Sequence, residues 1–307
     1  MRRSDPAGIA EAVALLTAGD LVAFPTETVY GLGADASNPL AVRRIFAAKG
    51  RPADHPLIVH LTSAALLPAW AVSTVAAEAL AAAFWPGPLT LVLQRVSGVL
   101  DEITGGRETV GLRVPDHPVA RALLAAFGGG IAAPSANRFG RVSPTTAEHV
   151  VAELGEETFV LDGGPCRVGL ESTIVDLSGA RPALLRPGGI SREALEAVLG
   201  PVAVGGTTAA PGTLPAHYAP RTALRIADHA ETEAERLRAE GLTVAVLAAA
   251  APEDYARQLY AELRRLDALG VDLLVAERVP EAGIGAAVND RLSRAARGSG
   301  ALQGHSK

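Results

Sequence analysis

The sequence predicts an α/β protein in two parts: a twisted mixed β-sheet domain with flanking helices over residues 1–200, and a small three-layer α/β domain over residues 221–307. Three observations carry this. Short β-like runs alternate with amphipathic helical patterns through the first two-thirds of the chain. Several of those runs follow one another with no helix between them, which argues for a mixed rather than an all-parallel sheet. Residues 201–220 then shift to Gly, Thr, Ala and Pro without an apolar period, as an interdomain linker does.

Taken in order, residues 9–18 read as a helix, 21–24 as a strand, 40–48 as a helix and 57–61 as a strand. Further strands are expected at 89–93, 110–114, 130–133, 159–161, 173–177 and 183–186. Residues 64–85 are apolar enough to suggest a membrane span, but Pro68, Glu78, Ser73, Thr74 and the weak hydrophobicity of alanine favour a helix outside the membrane. Four prolines in the linker, Pro201, Pro211, Pro215 and Pro220, favour an extended path that could lie in one groove. Beyond it, strands at 223–226, 243–247 and 271–275 alternate with helices at 230–239, 252–269 and 285–296, a βαβαβα order.

At 307 residues, with 49% hydrophobic and 20% charged, the chain can bury a sizeable core. The net charge of −5 weighs against a protein whose main task is coating nucleic acid. Cys166 is the single cysteine, so no intrachain disulfide or cysteine-rich zinc site can form, and a reducing compartment suits the chain. Met1-Arg2-Arg3 is followed by Asp5 and Pro6 rather than by a signal-peptide core. The histidines show no metal-ligand spacing, and there is no Walker A loop, Rossmann fingerprint, HExxH or G-x-S-x-G elbow.

The chemistry-bearing segments each have a bland reading beside the functional one. Phe24 to Gly33 leaves a strand for a polar, glycine-punctuated turn that can present hydroxyls and bare N–H groups, or can be an ordinary threonine-capped turn. Lys49-Gly50-Arg51 closes a helical pattern. A lysine followed by glycine is normal helix C-terminal chemistry, but all other cations except Lys307 are arginines, and two cations one residue apart suit a polyphosphate clamp. Pro134-Ser135-Ala136-Asn137 follows an apolar strand. Ser143 then reads as an N-cap with proline in the first turn, a terminus that also favours an anion. Arg51, Arg113 and Arg186 sit beside Gly or Pro at element ends, Glu171-Ser172-Thr173 leads into a strand, and His60 reads as a packed strand histidine.

Together, PTETVYGLG at 25–33, KGRP at 49–52, HPLIVH at 55–60, WPGPLT at 85–90, LRVP at 112–115, APSAN at 133–137, GLESTIVD at 169–176 and LRPG at 185–188 resemble the threonylcarbamoyl-AMP synthase (YrdC/YciO-like) family. PGTLPAHYAP at 211–220 and GIGAAVNDRL at 283–292 resemble its long, two-domain form. Two departures stand out: Gly50, where a larger polar residue is expected, and 212–216, where family members carry more basic residues.

The resemblance implies a YrdC-like mixed sheet around a large, positively charged cavity. It also implies a cytoplasmic nucleotidyltransferase that uses L-threonine, bicarbonate and ATP, with Mg²⁺ bridging the phosphates and no assigned protein ligand. The product, threonylcarbamoyl-AMP, would supply downstream enzymes that form threonylcarbamoyladenosine in tRNA next to the anticodon, with weak or no direct nucleic-acid binding and no membrane. Carried over by position, Thr26, His60, Arg113 and Ser172 would hold L-threonine. Lys49, Arg51, Thr109, Ser135, Asn137, Ser143 and Arg186 would hold ATP, with Lys49 and Arg51 catalytic, and His217 and Tyr218 would form a lid. An RNA-binding module and a carbamoyl-transfer component are the competing readings; charge and scarce aromatics weigh against the first, and the single cysteine and missing accessory modules against the second.

Overall fold

The computed structural model describes residues 2–212 and 214–299; the outermost residues of the two domain readings and one position of the linker reading lie outside them. In chain order the first part holds β1 (Arg2–Arg3), α1 (Pro6–Thr17), β2 (Val22–Phe24), β3 (Gly31–Asp35), α2 (Pro39–Lys49) and β4 (Ile58–His60). It continues with α3 (Val75–Phe84), β5 (Leu89–Gln94), α4 (Asp101–Thr104), β6 (Thr109–Arg113), α5 (Pro118–Phe127), β7 (Ile131–Ala132) and α6 (Ala147–Leu154). β8 (Leu161–Asp162), β9 (Thr173–Asp176), β10 (Ala183–Arg186), α7 (Arg192–Leu199) and β11 (Ala203–Val204) complete it. A nine-stranded sheet runs β11-β10-β9-β5-β6-β4-β7-β3-β2, with β1 and β8 paired separately. Parallel pairs (β4/β6, β5/β9, β10/β11) mix with antiparallel ones such as β5/β6 and β4/β7. The sheet is therefore mixed, as consecutive strands without intervening helices predict.

The central strands have two unlike faces. Side chains alternate along a strand, and Val59, Leu89, Leu91, Leu93, Val110, Leu112 and Val175 all enter one apolar core with α2, α3, α4 and α7. Their neighbours, His60, Thr90, Thr109, Gly111, Arg113 and Ser172, consequently belong to the opposite face. That face is where the polar residues of the sequence motifs collect. A second core, built from α1 and α5 against Val22, Phe24 and Ile131, closes the far end of the sheet.

Three local expectations are corrected. Gly31 and Gly33 lie in a strand, β3, rather than in a turn. A Cβ on Gly33 would sit 2.8 Å from both Ile131 Cγ2 and Phe24 Cε1, so the space a side chain needs is filled by neighbouring residues, and glycine hides the strand pattern. Ser143 does not cap α6. The carbonyls of Pro144 and Thr145 accept from Tyr30 N and Cys166 N, which keeps the chain out of the helix until Thr146, whose side chain accepts from His149 N. Residues 64–85 are not one helix but a 3-10 turn at Ala64–Ala69 and then α3, begun by the Thr74 hydroxyl accepting from Ala77 N at 3.1 Å. No helix among the described residues is long and apolar enough to cross a membrane.

The chain divides into two compact units: residues 2–139 with 144–212, and 140–143 with 214–299. The division falls inside the proline-rich stretch, not at its edges. Its first half is ordered on the first unit: β11 pairs with β10, and Thr208 donates to Asp176 Oδ2. The second unit has strands β12 (Ala223–Ala227), β13 (Val244–Leu247) and β14 (Leu273–Glu277), all parallel in the order β12-β14-β13. Helices α8 (Ala230–Ala239), α9 (Pro252–Asp267) and α10 (Gly285–Ser299) alternate with them. Expected and observed boundaries agree closely here, because strand and helix periods are well separated by turns.

Candidate active site

The polar face of the central strands has two ends. β4 and β6 run parallel with Ile58 opposite Gly111 and His60 opposite Arg113. Pro56 precedes Ile58 by two residues as Thr109 precedes Gly111, so both lie toward the start of the paired strands. From Thr109 to Arg113 is four residue steps, roughly 13 Å at about 3.3 Å each. Gly111 leaves the middle of this track without a side chain.

At the Arg113 end, Thr26 Oγ1 lies 2.8 Å from Thr28 Oγ1 and donates to Val29 O at 2.6 Å, folding the loop between β2 and β3 onto itself. Arg113 Nη1 donates to Thr28 Oγ1 at 2.9 Å and Nε to Gly87 O at 3.3 Å, while Nη2 lies 2.7 Å from Glu27 Oε1. Ser172 Oγ is 2.8 Å from Thr90 Oγ1 and accepts from Arg186 Nη2 at 3.1 Å. Arg186 also donates to Ser172 O and to Pro211 O, so one guanidinium joins the Ser172 loop to the first half of the linker. Ala210 packs on the same face, against Ile58, Val92 and Ile174.

His60 is buried at this end, and desolvation, with the Arg113 charge adding to it, depresses its imidazole to about 3. It is therefore a neutral hydrogen-bonding group. The sign of the linked stability follows: the unfolded chain takes up the proton near the ordinary value of 6.5, the folded chain only near 3. Stability is present above 6.5 and falls as the pH drops from there toward 3, by about 1.4 kcal/mol per pH unit for this group. In His60→Gln the fall over that interval is expected to be shallower by that amount, read from urea unfolding at stepped pH.

At the Thr109 end, α2 stops in a Schellman motif. Gly50 takes φ 60°, ψ 34°, its N–H donates to Ala47 O, and Arg51 N donates to Phe46 O at 3.0 Å. The departure at Gly50 thus does not loosen the pair; a left-handed residue is what turns Arg51 back beside Lys49. Lys49 is 3% exposed, and its ammonium donates to the carbonyls of Ser135 and Asn137. Arg51 Nη2 donates to Pro56 O at 3.0 Å, and its guanidinium lies over the Phe139 ring, 5.7 Å from the centroid. Burial first, and the charge of Arg51 second, hold the Lys49 ammonium well below the usual lysine range. Burial and the guanidinium outweigh the Glu153 carboxylate, which favours the charged form, so an anion arriving here would stabilise the ammonium.

The structure thus brings Thr26, His60, Arg113 and Ser172 to one end of the sheet face, and Lys49, Arg51, Ser135, Asn137 and Thr109 to the other; Arg186, expected with the second group, is bonded to Ser172 in the first. Ser143, His217 and Tyr218 lie in the second unit. There Tyr218, at φ 61°, stacks on Tyr260 with centroids 5.6 Å apart, and Arg291 sits 5.3 Å from the Tyr218 ring. Three site residues escaped the sequence reading: Glu27, Thr28 and Thr90. Thr90 had a signal, a lone hydroxyl in the apolar run of β5. Glu27 had none, because nothing local says that the whole loop is buried.

A family model described as telomere recombination (Sua5, YciO, YrdC) matches residues 14–188, and a second, threonylcarbamoyl-AMP synthase C-terminal domain, matches 190–297. A Pyrococcus abyssi protein named threonylcarbamoyl-AMP synthase is 43% identical over 92% of this chain and 92% of its own length. One of the same name from Bacillus subtilis is 42% identical over 94% and 93%. The crystal structure of P. abyssi Sua5 complexed with L-threonine superposes with a TM-score of 0.90 at 42% identity, covering 95% of this chain and 94% of that one. E. coli YciO matches 59% of this chain and 88% of its own at a TM-score of 0.52. On sequence and fold together, over both its units, the chain belongs to the Sua5/YciO/YrdC family.

Proposed function

We propose that this chain is an L-threonylcarbamoyladenylate synthase, a nucleotidyltransferase that converts L-threonine, bicarbonate and ATP to threonylcarbamoyl-AMP and pyrophosphate. The observation that carries the reading is the two-ended polar face: a buried guanidinium with hydroxyls and a neutral imidazole at one end, and a buried Lys/Arg pair at the other. The relatives' names and the L-threonine complex of P. abyssi Sua5 support it.

Threonine's α-carboxylate would pair with Arg113, its remaining polar groups reaching Thr26, His60 and Ser172. The amine condenses with bicarbonate, losing water, to an N-carboxylate. One oxygen of that carboxylate attacks the α-phosphorus of ATP, the bond to the bridging oxygen breaks, and pyrophosphate leaves with the electron pair. Such transfers depend on positioning and charge neutralisation more than on a covalent nucleophile. Lys49 and Arg51 would neutralise phosphate oxygens, with Ser135, Asn137, Ser143 and Thr109 placing the nucleotide, and Arg186, bonded to Ser172 at the threonine end, would meet ATP where the two substrates join. Among the described residues no cluster of three or more His, Cys, Asp or Glu is placed to hold a metal. Any Mg²⁺ would therefore enter on the ATP phosphates themselves and, when bound, would screen their charge beside Lys49 and Arg51. His217 and Tyr218 would form a lid that keeps water from the carbamate and the mixed anhydride. The product's chemistry suits transfer of threonylcarbamoyl to tRNA by downstream enzymes.

Purified protein given ATP, Mg²⁺, L-threonine and ¹³C-bicarbonate is expected to release pyrophosphate and form a ¹³C-labelled threonylcarbamoyl-AMP, with none formed when threonine is omitted. Pyrophosphate release that ignores threonine and bicarbonate overturns the reading.

A further inference from the structure

Glu27 is an acidic group that the proposed reaction leaves without a task, yet it is 1% exposed and held from two sides. Oε2 accepts from Asp116 N at 3.0 Å, and Oε1 lies 2.7 Å from Arg113 Nη2. That short ion pair is not a hydrogen bond: neither Glu27 Oε1 nor Arg113 Nη2 has a partner of hydrogen-bond geometry, although both are buried. The carboxylate therefore balances the guanidinium's charge from a direction off its N–H bonds. A guanidinium has five N–H donors. Arg113 directs one to Gly87 O and one to Thr28 Oγ1, which leaves both on Nη2 and one on Nη1 for another acceptor.

We propose that Glu27 is a built-in counter-ion that holds Arg113 in place before substrate arrives and sets how tightly a substrate carboxylate can bind. The inference rests on the assignment of L-threonine to this end of the face. An arginine buried alone would demand its carboxylate ligand and release it slowly. With Glu27 beside it, the charge of Arg113 is already balanced in the empty site, and an incoming carboxylate gains new hydrogen bonds but must approach an existing negative charge. Two carboxylates sharing one guanidinium repel each other at close range in a poorly screened site. Glu27 is thus a positioning and affinity-setting residue rather than a catalytic one.

The test titrates L-threonine into the full chain by calorimetry, for the wild type, Glu27→Gln and Glu27→Asp, and compares melting temperatures with and without threonine. Glu27→Gln keeps the shape and removes the charge. It is expected to melt lower than the wild type when empty, to bind threonine about tenfold tighter, and to recover most of the lost melting temperature when threonine is added. Glu27→Asp, which draws the charge back by one methylene and is expected to fold in any case, should bind two- to threefold tighter. A merely structural role would lower melting temperatures and leave threonine affinity unchanged; unchanged or weaker binding in the folded variants overturns the proposal. A wild type that binds no threonine overturns the site assignment, and this inference with it.

Discussion

Lys49→Met is expected to lower kcat/KM for ATP by about a thousandfold while leaving the protein folded. Two opposing terms make the stability change small. Methionine removes an ammonium whose burial is unfavourable, but it also leaves the carbonyls of Ser135 and Asn137 without their donor. Activity suffers without such compensation, because charge developing on the transferring phosphate is met by fixed cations that need no rearrangement, and such groups contribute several kcal/mol to the transition state. The same residue predicts a proton linkage. Because Lys49 in the empty site binds its proton weakly, arriving phosphates raise its affinity for the proton. At pH values between the empty-site and ATP-bound titrations of Lys49, ATP binding then takes up a proton and weakens as pH rises. Calorimetry in buffers of different ionisation enthalpy should show this uptake in the wild type and its loss in Lys49→Met; equal uptake in both removes Lys49 from the nucleotide site.

Much of this was legible from residue order alone. The strand ending at Arg186, the helix at 230–239 and the Lys49 helix end were set by local pattern, and the structure places them within a residue or two of expectation. Alternation also explains why residues as distant as Thr90, Arg113 and Ser172 share one face. What escaped was set by tertiary contact. β3 was hidden because Phe24 and Ile131 fill the space that its side chains would need. The start of α6 was misplaced because Tyr30 and Cys166, not the local turn, claim the carbonyls before it. The linker's first half looked featureless because its partners, Asp176, Arg186 and the sheet face, lie elsewhere in the chain. Glu27 was passed over since only its burial beside Arg113 distinguishes it from a solvated glutamate.

Arg113→Lys tests the other end of the face, and the proposed function predicts a contrasting kinetic signature. A lysine retains the charge and can still neutralise Glu27. It cannot reproduce a planar fork that reaches Gly87 O, Thr28 Oγ1 and a substrate carboxylate at once. Losing a bidentate, desolvated carboxylate contact costs on the order of 2–4 kcal/mol, so KM for threonine is expected to rise by about a hundredfold or more. KM for ATP should hardly change, because Lys49 and Arg51 stand at the far end of β4 and β6. Lys49→Met should show the reverse, a large loss toward ATP with threonine binding kept. Steady-state kinetics with each substrate varied separately distinguishes the two variants. If both shift the same KM, the sheet face does not divide into a carboxylate end at Arg113 and a phosphate end at Thr109.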